Sequence, residues 1–201
     1  MYFSDYAVTN ETVGIPSEAV KTLAENDAVE SVSTTRLSVF MPGAGDILPF
    51  ETDLSVQSHE TLQLVNVDEA QLQIYAPNLS AQDKQALKDG TGCLVKNPIA
   101  FSYGDTTVQQ TDLTVGDTIQ LGDRTLPVLG LIDTAITINN DGFTNGVQLI
   151  VNDEIYCSLL GNDSYSEVYP TLQDNADTDN FESCLDIKSK KKIFSFKSSP
   201  F

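Results

Sequence analysis

An α+β domain built on mixed sheets, with a βαβ-type subdomain and a small β-rich subdomain, is the fold the sequence predicts. Three observations predict it. Capped helix signals alternate with short apolar strands between Ser80 and Leu172. A β run carrying two Gly-Asp turns occupies residues 106–133. The composition, 40% hydrophobic against 20% charged over 201 residues, is that of a chain able to bury a core.

The elements follow in order. Pro16 suits a first helical turn, where its missing N–H costs nothing, and Val20, Leu23 and Ala24 recur at helical spacing, so a helix is expected over Pro16–Asn26. The β-branched residues of 29–40 predict a strand, and Met41 to Asp46, with Pro42, Gly43 and Gly45, a loop. Residues 60–76 alternate imperfectly and are read as two strands with a turn near Asp68-Glu69. Ser80 caps the next helix with Asp83 as the third residue of a capping box, and Gly90 stands where a left-handed terminator belongs. Cys93-Leu94-Val95 is a short buried strand.

Strands are then expected over 106–115, 118–121 and 124–132, joined at Gly116-Asp117 and Gly122-Asp123, because glycine accepts the positive φ of a II′ hairpin turn. Pro127 puts the last of these strands at an edge or a bulge. Gly146–Val151 reads as a strand. Asn152 caps a helix with Ile155, Tyr156, Leu159 and Leu160 on one face, and Gly161 ends it. A strand over Tyr165–Leu172 and a last helix starting near Asp174 or Asp177, with Phe181, Cys184 and Leu185 inward, complete the reading. Residues 1–187 are expected to form one domain, its β-rich part at about 97–146. The basic, Ser-rich stretch 188–201 is expected to be disordered or foreign to it.

Charge excludes one class of partner. The net charge is −18, and five of the 11 basic residues (Lys188, Lys190, Lys191, Lys192, Lys197) fall in the last 14 positions. Residues 1–187 thus carry 29 acids against six bases, a balance that repels phosphate backbones, so no nucleic-acid partner is expected. No stretch approaches the roughly 18–20 apolar residues that cross a bilayer, and the opening Met1-Tyr2-Phe3-Ser4-Asp5-Tyr6 lacks the basic and apolar regions of a signal peptide.

Catalytic patterns are missing. His59 is the one histidine, and no GxSxG elbow, HExxH, zinc spacing, GxxxxGK[ST] or GxGxxG occurs. Cys93, Cys157 and Cys184 are far apart without CxxC spacing, so one disulfide or none is expected. Asp174, Asp177, Asp179 and Glu182 cluster with Asn175 and Asn180. They lack the glycine and glutamate of an EF-hand loop and read as an acid-rich helix start. No catalytic, cofactor-binding or metal-binding residue is assigned, and no cofactor.

A set of short segments carries a resemblance. Leu113-Thr114-Val115-Gly116-Asp117-Thr118-Ile119-Gln120-Leu121 is similar to the Gly-Asp turn of MacB-like extracytoplasmic domains, and Leu126-Pro127-Val128-Leu129-Gly130-Leu131-Ile132 to the strand after it. Upstream, Lys88-Asp89-Gly90-Thr91-Gly92-Cys93-Leu94-Val95-Lys96-Asn97 resembles another strand of that pattern. Downstream, Val147-Gln148-Leu149-Ile150-Val151-Asn152-Asp153-Glu154 resembles its strand and helix. The early helix followed by Ala28-Val29-Glu30-Ser31-Val32 resembles its opening. The ordered set spans roughly residues 15–185 and is similar to the MacB periplasmic-core domain of FtsX/MacB-like ABC-transporter permeases. The tail stands where the pattern would place a transmembrane segment.

The resemblance implies a non-enzymatic domain on the extracellular face of the cell membrane, acting in recognition or mechanical coupling. Implied partners are the transmembrane helices of the same permease, a cytoplasmic ATPase subunit, and a peptide, lipid or protein ligand. Two other readings stay open: a secreted binding or adhesion module unrelated to transport, and a carboxylate-dependent hydrolase. The hydrolase requires two acids facing each other in a cleft, at least one with a raised pKa.

Overall fold

The computed structural model describes residues 4, 6–9, 14–55, 61–134 and 146–188, with the side chains of Phe101, Thr106 and 184–188 excepted. In chain order the elements are β1 (Val8–Thr9), α1 (Ser17–Ala24), β2 (Val29–Phe40), β3 (Leu62–Val67), α2 (Glu69–Tyr75), α3 (Ala81–Lys88), β4 (Cys93–Lys96), β5 (Phe101–Tyr103), β6 (Thr106–Val108), β7 (Thr118–Leu121), β8 (Arg124–Ile132), β9 (Val147–Ile150), α4 (Asp153–Leu160), β10 (Glu167–Leu172) and α5 (Thr178–Lys188). The chain divides into two compact units, Met1–Arg36 with Asp163–Phe201, and Leu37–Asn162.

In the first unit β10 lies between β1 and β2, antiparallel to both, with Val168 opposite Val8 on one side and Thr34 on the other. Asp177 caps α5 by accepting the Asn180 N–H at 3.0 Å, which leaves Phe181 one turn in and pointing at the sheet. Phe181, Tyr6, Val29 and Leu172 form the core of this unit, flanked by Leu23, Ala28, Val32 and Ala176. The buried Arg36 guanidinium stacks 3.7 Å above the Tyr165 ring and donates to the Asp163 carbonyl at 2.9 Å, so its charge is met by a π face and a backbone oxygen.

The second unit orders its strands β3-β9-β4-β8-β7. β3 and β9 run parallel, as do β4 and β8, while β9–β4 and β8–β7 are antiparallel. Strand alternation feeds two cores. Leu62 and Leu64 of β3, Val95 of β4 and Leu149 of β9 join Ile119, Leu126, Ile155 and Tyr156 in one. Val65, Leu94, Ile132 and Ile150 meet Leu72, Tyr75 and Leu87 of α2 and α3 in the other. Asn152 ties two helices together. Its Oδ1 accepts the Ile155 N–H at the start of α4, and its Nδ2 donates to the Lys88 carbonyl at the end of α3. β5 and β6 form a separate two-stranded hairpin.

Three sequence expectations are corrected. The second half of 60–76 is the helix α2, not a strand: the Asp68 side chain accepts the Gln71 N–H at 3.0 Å, Glu69 adds an acid to the first turn, and Leu72 and Tyr75 bury one helical face. The strand expected over 106–115 stops at Val108, which pairs back to Phe101 across Gly104-Asp105. Gly116-Asp117 does not join strands as a two-residue hairpin. The Asp117 N–H closes a turn on the Thr114 carbonyl at 3.1 Å, with Gly116 third at φ +96°, and Asp117 and Gly116 then pair with Val128. The Gly122-Asp123 hairpin forms as expected, with Gly122 at φ +62° and Leu121 opposite Arg124. Past Pro127 the β4–β8 register shifts between Cys93 and Leu94, which supplies the bulge the proline predicts.

Candidate functional site

A groove of about 450 Å³ opens in the second unit between the α2–α3 connection and the far half of β8. Local capping builds one wall. Asp68 starts α2 and Ser80 starts α3, and the residues between them, Ala76 to Leu79, cross above β8. Leu94, Leu129 and Ile132 supply an apolar floor. Gly130 keeps that floor deep, because a β-carbon there would stand 3.2 Å from Leu79 Cδ1 and 3.3 Å from Leu94 Cδ2. Asp83 and Asp133 are the charged residues of the lining, and no basic side chain joins them. The Asp83 carboxylate accepts the Ser80 hydroxyl at 2.6 Å as part of the helix cap.

The groove adjoins a strand edge. β8 has nine residues and β7 four, and β7 pairs only with Arg124–Pro127. Gly116 and Asp117 extend that pairing to Val128. Beyond it, Gly130, Leu131 and Ile132 pair with Leu94, Val95 and Lys96 of β4 on one side. Among the described residues none bonds their backbone on the other side. The outer edge of β7 is handled differently: Gly122 donates to the Glu51 carbonyl, Gln120 to the Asp53 carboxylate, and Thr52 bridges Leu121.

The residues singled out in the sequence do not converge. His59, the Cys184 side chain and the tail beyond Lys188 lie outside the described residues. Cys93 is a free thiol in β4, and burial pushes its pKa up to about 12, so at neutral pH it packs as a small apolar group. Cys157 is a half-buried free thiol. Within the acidic cluster, Asp177 is spent on the α5 cap and Glu182 accepts the Tyr6 hydroxyl at 3.0 Å. Among the described residues no three metal-ligating side chains come together.

Asp117 serves the turn. Its carboxylate accepts the Thr114 N–H at 2.7 Å and the Thr114 hydroxyl at 2.9 Å, and these bonds hold its pKa below the ordinary carboxylate value. A depressed carboxylate pKa gives a contribution to stability that is present above the unfolded-state value and is lost as pH falls through the folded-state one. We expect Asp117 to titrate below the ordinary aspartate value in carboxyl-detected NMR, and Asp117→Asn to remove its share of the acid-side stability loss. An ordinary aspartate titration at this position would show that the turn does not use the charge.

None of the groove residues stands out in the sequence as a site residue, although a signal is present. A four-residue arm facing a nine-residue arm leaves part of the longer strand unpaired, and a glycine in that part, Gly130, allows close approach to its backbone.

The fold is that of extracytoplasmic domains of ABC-type transporters. It is similar to the extracellular domain of the noncanonic ABC-type transporter YknZ from Gram-positive bacteria, with a TM-score of 0.52 at 11% identity, over 90% of this chain and 87% of that one. The periplasmic region of MacB from Actinobacillus actinomycetemcomitans matches with a TM-score of 0.47 at 11% identity, over 89% of this chain and 72% of that one. No protein-family model matches the sequence. No curated protein matches it in sequence.

Proposed function

We propose that the chain is the extracytoplasmic domain of an ABC-transporter permease and acts in recognition or mechanical coupling rather than catalysis. The likeness to the YknZ extracellular domain carries this reading, because it takes in 90% of this chain and 87% of that domain rather than one shared motif. The ordered sequence segments support it independently, since Gly116, Asp117 and Gly130 sit at a turn and a strand of that fold. In this reading residues 1–187 work as one domain on the outer face of the cell membrane, the stretch at about 97–146 is its β-rich part, and 188–201 is separate. Its partners are the transmembrane helices of the same permease and a cytoplasmic ATPase subunit, with a peptide, lipid or protein as ligand and no nucleic acid.

Two features weigh on the side of binding or coupling. Four of the described acids serve as caps and turn braces: Asp68, Asp83, Asp117 and Asp177 each accept a local N–H or hydroxyl. The largest apolar exposure on a hairpin tip, Tyr103, belongs to a surface rather than to a cleft.

Fractionating cells that express the parent gene, followed by protease treatment of the intact cells, tests the proposal. The expected result is recovery of the parent protein in the membrane fraction, cleavage of this domain by external protease, and co-purification of an ATPase. Recovery of a freely secreted protein in the medium would overturn it and leave a secreted binding or adhesion module. Detection of hydrolase activity abolished by a carboxylate substitution would move the function to catalysis.

A further inference from the structure

We propose that the buried Gln63–Gln148 pair is a register lock: it selects the alignment of β3 beside β9 that the apolar pattern of these strands leaves open, at the expense of stability. The inference rests on the geometry of the second unit alone and stands or falls independently of the transporter reading.

The usual source of register is a single buried face, which forces a strand to keep its hydrophobic set inward. β3 and β9 lack that constraint. All four residues of β9 are buried, and so are Leu62 to Asn66 of β3. Leu62, Leu64, Val147 and Leu149 serve one core, and Val65 and Ile150 serve the other. A shift of two residues keeps aliphatic side chains on both faces, so burial alone separates the alignments weakly.

The amides separate them. β3 and β9 run parallel with Gln63 opposite Gln148, and Gln148 Nε2 donates to Gln63 Oε1 at 2.7 Å. On its other side β9 sets Gln148 opposite Lys96 of β4, another buried polar residue. Polar positions of three neighbouring strands thus fall in one row. Sliding β9 by two residues one way places Gln148 against Val65, and the other way places Gln63 against Ile150. Either slip leaves a buried amide facing an aliphatic side chain, and a buried polar group without a partner carries its full desolvation cost.

The pair is poorly built for stability. Gln148 is 1% exposed, and its Oε1 has no hydrogen-bond partner among the described residues. Gln63 Nε2 reaches the Thr61 hydroxyl only at 3.4 Å. A half-satisfied polar pair is worse for stability than apolar side chains of the same volume. A contact that forms in one alignment alone still discriminates between alignments.

Near-isosteric methionine variants of the whole 201-residue chain test the proposal: Gln63→Met, Gln148→Met and the double variant. Each single variant leaves the other amide without its partner and should lower the urea midpoint. The double variant removes both amides, and its midpoint should return at least to that of the unsubstituted chain. Its backbone amide resonances over 62–65 and 147–150 should nevertheless split or broaden, while those of β7 keep one sharp set. In the unsubstituted chain, the Gln148 side-chain amide should exchange with solvent at least about tenfold more slowly than those of the exposed Gln73 and Gln82. A double variant with one sharp set of resonances and unchanged cross-strand contacts would overturn the lock, leaving the close fit of Gly146 at Thr61 to fix β9. A double variant less stable than either single one would overturn it as well, since the pair would then act by ordinary stabilisation. Rapid exchange of the Gln148 amide would overturn the pairing itself.

Discussion

Gly146→Ala is expected to cost about 3 kcal/mol or more, near the upper end of single-residue effects. A β-carbon at this position would lie 1.7 Å from the Thr61 carbonyl oxygen and 2.4 Å from its carbonyl carbon. These are backbone atoms, so no side-chain rotation relieves the overlap. Thr61 also cannot retreat cheaply. Its carbonyl accepts the Val147 N–H at 3.0 Å, the bond that sets β9 beside β3 just before the Leu62–Val147 pair. Relief would pull out the first rung of a parallel ladder whose four residues in β9 are all buried. Gly161→Ala is the matched control. Gly161 ends α4 at φ +61°, and an added β-carbon would find nothing within 4 Å, so only backbone strain of about 1 kcal/mol is expected there. Urea unfolding followed by far-UV circular dichroism compares the two. Equal losses would mean that β9 does not approach Thr61 as closely as described.

The parts of the fold that are legible in the sequence are those decided locally. Ser80 and Asn152 cap helices that Gly90 and Gly161 end, because short polar side chains reach an N–H three residues on and glycine takes a left-handed φ at little cost. Gly122-Asp123 turns a hairpin for the same local reason. The resemblance to MacB-like domains also rests on such turns, and the fold bears it out.

What is illegible depends on partners distant in sequence. β3 reads as imperfect alternation because Gln63 and Asn66 are buried with the leucines. Gln63 Oε1 accepts from Gln148 Nε2 at 2.7 Å, and Asn66 Nδ2 donates to the Val151 carbonyl at 3.1 Å, both 85 residues away. The α2 segment reads as strand-like because Ile74, on the exposed side of the helix, interrupts the apolar face of Leu72 and Tyr75. The stretch after Val108 reads as a strand because Thr111, Thr114 and Val115 have β propensity, yet no strand forms there before Thr118. The groove is illegible for a related reason. It lies beside the half of β8 that β7 does not accompany, and sequence patterns report which residues favour a strand, not how far a neighbour accompanies it.

Phe181→Ala is expected to cost about 3–5 kcal/mol, with the loss confined in the first instance to the first unit. Phe181 is 1% exposed and is the largest of the fully buried side chains. Its ring sits 5.2 Å from that of Tyr6 at a tilt of 57°, an edge-inclined pair that adds to the area buried. The other buried, wholly apolar members of its cluster among the described residues are Val29 and Leu172, both held in strands, with Leu23, Ala28, Val32 and Ala176 only partly buried around them. Tyr6 cannot move into the cavity without giving up its hydroxyl bond to Glu182 on the same helix as Phe181. Truncation therefore removes the contact that holds α5 to β10 and β2, while the Asp177 cap keeps the helix start formed. Hydrogen exchange should show lost protection in α5 and in β10 before any change in β4 or β9. Phe181→Leu, which refills most of the volume, should recover more than half of the loss. A small effect of the alanine substitution, under about 1 kcal/mol, would show that α5 is not the lid of this core and that its acid-rich start has to be explained by something other than capping.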